Sequence, residues 1–311
     1  RDVAPSRGLG DVYKRQPIEY VLSLGGKRIR PVLMLLSYQL YKENVDDILP
    51  QAAGIETYHN YTLLHDDLMD CADMRRNKPT VHKVWDENTA ILSGDAMLVL
   101  AYRLMNNCPE RYLKQVMDIF SQTALEICEG QQWDMEFETR NDVTVPEYME
   151  MIRLKTSVLL SAALKIGAVL GGASEDDARK LYDFGIKMGL AFQLQDDYLD
   201  VYGDSKVFGK NIGGDILCNK KTFMLINALA LADGIQRKEL EKWIASIAFC
   251  PEEKIKAVTA LYDKIGIGGI CEEKINAYYV EGLSLLESMA VPSERKEELK
   301  SFVCHLMNRK V

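Results

Sequence analysis

His59-Asn60-Tyr61-Thr62-Leu63-Leu64-His65-Asp66-Asp67-Leu68-Met69-Asp70 sets three carboxylates into a segment whose apolar residues recur with a helical period. On a helix turning about 100° per residue, with Asp66 as zero, Asp70 lies at about +40°, His59 at about +20° and Asp67 at about +100°. Asp66, Asp70 and His59 therefore share one stripe. Like charges this close raise one another's pKa unless positive charge lies between them, and a hard divalent cation with oxygen ligands, Mg2+ above all, suits that place. A solvated acidic helix end would explain one such stretch equally well. The same carboxylate spacing recurs, however, in Phe192-Gln193-Leu194-Gln195-Asp196-Asp197-Tyr198-Leu199-Asp200, again within an apolar-periodic segment. Two such helices fit a cluster of Mg2+ ions that a polyanionic ligand completes.

The chain of 311 residues is long enough to bury a substantial core, and 47% hydrophobic with 27% charged residues is ordinary globular composition. A net charge of -8 argues against a nucleic-acid binder, whose footprint would be a basic face. Cys71, Cys108, Cys128, Cys218, Cys250, Cys271 and Cys304 have no regular spacing and fit neither a disulfide framework nor a CxxC metal site, so a reducing cytoplasm is expected. With no apolar run of about 18 residues and no signal peptide, neither a membrane span nor secretion is expected.

Arg1 to Gln16 show no helical apolar period and begin without Met, so residues 1–16 are expected to be a non-native or disordered leader, and 17–311 a single domain. Beyond Pro17 helical periodicity is expected over Val32 to Tyr41, Ile48 to Met69, Ala90 to Met105, Tyr112 to Phe137, Val145 to Leu170 and Asp177 to Tyr202. It continues through Phe223 to Leu231, Glu239 to Phe249, Glu253 to Ile265 and Ile275 to Met289. Turn chemistry separates these segments at Gly25-Gly26, Asn77-Lys78-Pro79, Cys108-Pro109, Gly171-Gly172, Gly213-Gly214, Pro251 and Gly266 to Gly269. The fold class expected is all-α, a bundle of long helices around a central apolar cavity.

Cations accompany the acidic stretches. Gly25-Gly26-Lys27-Arg28-Ile29-Arg30-Pro31 places basic side chains in a turn at a helix start, where a glycine pair and helix N–H groups suit a diphosphate as well as solvent. Arg75 and Arg76 follow the first motif, Lys155-Thr156 interrupts an apolar helix, and Lys210 and Asn219-Lys220-Lys221-Thr222 follow the second. Each could equally be solvated surface charge. His59, His65, His82 and His305 form no zinc pattern, and GxSxG, P-loop and GxGxxG sequences are absent.

Taken in order from about Pro17, GGKRIRP, His59, DDLMD, DMRRNKPT, GDAML, LKTS, FQLQDDYLD and GK...GGD...NKKT resemble the trans-isoprenyl diphosphate synthases, or polyprenyl synthetases. The resemblance implies a homodimer of all-α subunits whose two acidic motifs face each other across the mouth of a deep apolar cavity. It implies condensation of isopentenyl diphosphate with an allylic diphosphate (dimethylallyl, geranyl or farnesyl), with about three Mg2+ ions per active site. Carried over, the metal set is Asp66, Asp67, Asp70, Asp196, Asp197 and Asp200, with Asp67 and Asp200 supporting. Arg75, Lys155, Gln193, Lys210 and Lys220 would contact the allylic diphosphate, and Lys27, Arg30, His59 and Arg76 isopentenyl diphosphate. Lys155, Thr156 and Gln193 would steady the carbocation. The chemistry is sound, because a diphosphate leaves readily only when its growing charge is neutralised, and unit charges 4 Å apart interact by about 4 kcal/mol at an effective dielectric of 20.

Chain length in that family depends on bulk upstream of the first motif. Tyr61 and Thr62 occupy those positions and imply farnesyl or geranylgeranyl diphosphate. The chain departs from the family pattern in Asn219, where many members have Gly, and in lacking a convincing helix before Pro17. A non-catalytic partner subunit would tend to lose motif residues kept here. A class I terpene cyclase would have no use for GGKRIRP.

Overall fold

The computed structural model describes residues 9–203 and 212–307. Helices dominate it, with one two-stranded hairpin, β1 (Met74–Arg75) antiparallel to β2 (Lys78–Pro79). Contacts divide the chain into two compact units, one running to Phe120 and including Ile166–Ala173, the other comprising Ser121–Lys165 and Ser174 onward.

The first unit contains α1 (Leu9–Ser23), α2 (Ile29–Gln39), α3 (Leu49–Met69), the short α4 (Val81–Val84) and α5 (Glu87–Met105). α1 corrects the sequence expectation, since it begins at Leu9 and carries Pro17 inside it. A proline withholds one N–H from the helical ladder, which made Pro17 read as a start. α3 packs along α5. Asp86 starts α5 by accepting the Thr89 N–H at 2.7 Å. Val21, Leu64, Val81, Ala90 and Met97 form a buried cluster against which Tyr61 packs.

α6 (Glu110–Thr139) leads into the second unit. There α7 (Val145–Ile152), begun by a Thr144–Glu147 capping box, runs through a π-turn at Arg153–Ser157 into α8 (Val158–Gly171), whose residues from Ile166 on belong to the first unit. By length and hydropathy the run Val145–Gly171 could cross a membrane, but 83% of its most apolar window is buried inside the protein, as befits a core helix.

α9 (Glu175–Tyr202) carries the second acidic motif, and α10 (Gly214–Leu217), α11 (Phe223–Leu231), α12 (Gly234–Ala245), α13 (Pro251–Ile265), α14 (Ile267–Glu287) and α15 (Ser293–Met307) follow. The core of this unit includes Tyr148, Leu194, Phe223, Leu261 and Ile267. α12 begins at Gly234 rather than Glu239, because Asp233 and Gln236 form a capping box there. α14 begins at Ile267 rather than Ile275, because only Gly266 is left-handed (φ 83°), whereas Gly268 lies inside the helix against the Tyr202 ring.

Candidate active site

In the first unit the acidic motif occupies the last turn of α3. Asp67 is 6% exposed and accepts from Arg75 Nε at 2.7 Å, while Arg75 Nη2 lies 3.4 Å from Asp66 Oδ2. Burial raises the Asp67 pKa, against the pull of Arg75. Asp66 is half-buried and Asp70, at the helix end, is exposed. Arg75 reaches the motif because β1 and β2 fold the chain back after α3. At the apex of that hairpin Arg76 and Asn77 take left-handed φ values of 52° and 61°.

Arg76 ties this hairpin to the basic turn, its guanidinium donating to the Gly25 carbonyl. Gly26, at φ 125°, takes a backbone conformation that favours glycine, and its lack of a side chain leaves room for that guanidinium, which an added Cβ would meet at 2.7 Å and push aside. Beside it Arg30 Nη1 sits 3.1 Å from His59 Nε2. Among the described residues the buried Arg30 Nε has no hydrogen-bond partner. Burial lowers the Arg30 pKa to about 10. Burial, then Arg30, Arg76, Arg75 and Arg28, hold His59 well below the usual histidine range, so its imidazole is neutral. Arg28 pairs with Glu56, whose carboxylate also accepts from Asn60 at 2.9 Å. Lys27 is exposed on the same turn. The structure thus joins Arg30 to His59 and Arg76 to the turn of Lys27.

In the second unit Lys155 and Thr156 lie in the π-turn. Gly130 of α6 approaches so closely that a Cβ there would fall 2.4 Å from the Lys155 backbone nitrogen. Lys155 Nζ donates to Asp134 at 2.5 Å. Thr156 Oγ1 donates to Gln193 Oε1 at 3.4 Å, and Gln193 Nε2 donates to Asp197 at 3.3 Å. Asp197, 4% exposed, also accepts from the Tyr148 hydroxyl. Burial, with Asp215 adding to it, pushes the Asp197 carboxyl up to about 7, against Tyr148, Lys220 and Gln193. Asp196 is half-buried, and Asp200 accepts the Asp215 N–H at 3.0 Å. Lys220 is exposed two residues before α11 begins at its cap, Thr222. Lys210 lies outside the described residues.

Asp134, Tyr148 and Glu56 were not among the sequence candidates. Each lies on a helix distant in sequence from its partner, and only an acid or hydroxyl in an otherwise buried helix face could have signalled it. Tyr61, half-buried, packs at a tilt against Tyr58 and edge-to-face against His65, at ring separations of 5.4 and 4.9 Å. Thr62 turns its hydroxyl back to the His59 carbonyl at 2.8 Å.

Among the described residues no three His, Cys, Asp or Glu side chains converge as a metal cage. The donors are instead hard carboxylate oxygens in small groups. That fits Mg2+, which is commonly bound by one or two carboxylates and completed by substrate phosphates and water.

Residues 12–262 match the polyprenyl synthetase family model. The short chain isoprenyl diphosphate synthase of Methanocaldococcus jannaschii is 42% identical over 248 residues, covering 79% of this chain and 76% of that protein. A solved geranylgeranyl pyrophosphate synthase is 44% identical, with a TM-score of 0.92 over 98% of this chain and 94% of its own. The geranylgeranyl pyrophosphate synthase of Corynebacterium glutamicum, solved with isoprenyl diphosphate and magnesium, is 26% identical with a TM-score of 0.87, covering 98% of this chain and 93% of its own.

Proposed function

The chain belongs to the polyprenyl synthetase family, as a short-chain trans-prenyltransferase, and on that premise we propose how its residues divide the work and where elongation stops. The two units act as one synthase domain that joins isopentenyl diphosphate to an allylic diphosphate. Geranylgeranyl diphosphate is the product, a reading supported by the two-residue gap in DDLMD, by the aromatic Tyr61 and by the likeness to a geranylgeranyl pyrophosphate synthase.

One observation carries the division of labour. In each acidic motif the middle carboxylate, Asp67 or Asp197, is buried and held by protein side chains, while Asp66, Asp70 and Asp196 are more accessible. Asp66, Asp70 and Asp196 are therefore the Mg2+ ligands, Asp200, which also accepts the Asp215 N–H, supports them, and Asp67 and Asp197 fix the helix turns that present them. Mg2+ held there, about three ions per site as in the family pattern, supplies Lewis-acid neutralisation of the departing diphosphate.

Arg75, Lys155, Lys210 and Lys220 share the allylic diphosphate charge. Arg75 and Lys155 exchange part of their pairing with Asp66, Asp67 and Asp134 for phosphate oxygens. Arg30, whose buried Nε–H has no partner among the described residues, and His59, Lys27 and Arg76 receive isopentenyl diphosphate. Thr156 and Gln193, hydrogen-bonded to each other, turn oxygen dipoles toward the allylic cation. The isopentenyl double bond attacks that cation, and the proton then lost passes to the diphosphate already released. The enzyme works in the cytoplasm as a homodimer.

Labelled isopentenyl diphosphate supplied with dimethylallyl, geranyl or farnesyl diphosphate tests this reading. Incorporation should end at twenty carbons and disappear when EDTA removes Mg2+. A folded protein that incorporates nothing would be a partner subunit, and a cyclic hydrocarbon would identify a cyclase.

A further inference from the structure

Asn219 and Lys254 have no part in the chemistry above, yet they are joined at its edge. α10 ends in a Schellman turn, in which the Asn219 N–H donates to the Ile216 carbonyl at 3.2 Å and the Lys220 N–H to the Asp215 carbonyl at 3.0 Å. Asn219 occupies the left-handed position of that turn, at φ 54°. Glycine usually fills it, and asparagine is the next most tolerant residue. Here the asparagine side chain is pinned at both ends. Its Oδ1 accepts from Lys254 Nζ at 2.7 Å, and its Nδ2 donates to the Ile244 carbonyl at 3.1 Å.

Lys254, in the first turn of α13, is only 1% exposed. Its ammonium also donates to the Leu217 carbonyl at 3.4 Å and lies 4.2 Å from the centre of the Phe249 ring. A buried ammonium is tolerated only when its N–H groups are met, and two oxygens and a π face meet them here. An apolar side chain would fill the same space without that cost, so the charge has a use beyond packing.

We infer that Lys254 is a positioning residue for the prenyl transfer: through the Asn219 amide it fixes the turn whose next residue, Lys220, meets the allylic diphosphate. The inference rests on the assignment of Lys220 to that diphosphate. The same turn is tied to the acidic motif, because the Asp215 N–H is held by Asp200. A cavity of ≈ 20 Å³, room for one water, is lined among others by Asp197, Asp215, Lys220 and Lys254. Loosening the turn would therefore shift a phosphate-binding cation and a metal-supporting carboxylate together, as loss of an outer partner does around metal ligands.

Steady-state kinetics with each substrate varied, alongside thermal unfolding, test this on Lys254→Met, Asn219→Ala, Asn219→Gly and Lys220→Ala. Lys254→Met and Asn219→Ala should raise KM for the allylic diphosphate on the order of tenfold and KM for isopentenyl diphosphate by less than about twofold. Asn219→Gly should raise it less than Asn219→Ala, because glycine holds a left-handed turn unaided, and Lys254→Met should add little in the glycine background. If Lys254→Met does not fold, Lys254→Gln, shorter and uncharged, takes its place with the same expected rise. An unchanged allylic KM in the Lys254 variant and in Asn219→Ala, with Lys220→Ala still raising it, overturns the inference alone. Lys220→Ala without effect on allylic KM overturns the assignment of Lys220 and the inference with it.

Discussion

His59 lies against Arg30, and Arg76, Arg75 and Arg28 also oppose its charge, so its pKa falls well below that of a free histidine, with burial the largest cause. In the unfolded chain the same imidazole takes a proton near pH 6.5. The stability it contributes is therefore present above about pH 6.5 and is lost as pH falls toward the folded-state value, with a slope of up to about 1.4 kcal/mol per pH unit. His59→Asn should accordingly lose less Tm than the wild type when the unliganded protein is taken from about pH 7.5 to about pH 5.5. Parallel losses would show that another group carries the acid sensitivity. Tyr61, one turn before the acidic motif, packs with Tyr58 and His65. Tyr61→Ala should cost on the order of 2 kcal/mol, since the ring is only half-buried, and should lengthen the product beyond twenty carbons. An unchanged product profile in a chromatographic assay would remove Tyr61 from the control of chain length.

The π-turn at Arg153–Ser157 turns Lys155 and Thr156 out of an otherwise continuous apolar helix, and Gly130 allows α6 to lie against its backbone. Gly130→Ala would push a methyl into that contact at a cost of about 1–3 kcal/mol. A displacement approaching 1 Å at the turn should lower kcat on the order of a hundredfold in protein that still melts cooperatively. Full kcat with saturating substrates would mean that the turn does not set the geometry of Lys155 and Thr156. The sequence shows LKTS as an interruption by type, a lysine and a threonine among apolar residues, but the slip in helical register has no signature, because the apolar period resumes at Val158. The same limit hid Asp134 and Tyr148, whose partners Lys155 and Asp197 belong to other helices. α15 escaped for a different reason. Its buried face begins with Lys296, which reads as solvent-facing but donates to the Glu287 and Met289 carbonyls at the end of α14, at 2.9 and 3.0 Å. The acidic motifs were legible because carboxylates in an apolar helix are costly to bury, and a set of them repeated at one spacing implies a cation to be held.

α5 is apolar on two faces. Ala90, Met97, Ala101 and Met105 are buried, whereas Ile91, Leu92, Val99 and Leu100 are exposed, Leu92 by 68% and Val99 by 59%. A helix of that kind needs a second apolar surface, and residues 92, 96 and 99 form a stripe at helical spacing on which a copy of the same helix can lie. Periodicity alone marked Ala90 to Met105 as one amphipathic helix, since a sequence cannot tell a face covered by its own chain from one left open. Homodimerisation through this stripe would bury the surface twice over, as isologous interfaces do, and a stable one covers roughly 1,200–2,000 Å² in total. Leu92→Glu combined with Val99→Glu would place four like charges in the interface and should yield monomers in size-exclusion chromatography with light scattering. Because both side chains are exposed, far-UV circular dichroism should be unchanged. Wild-type protein that is monomeric at micromolar concentration would reject the dimer. A double variant that remains dimeric would move the interface elsewhere on the surface.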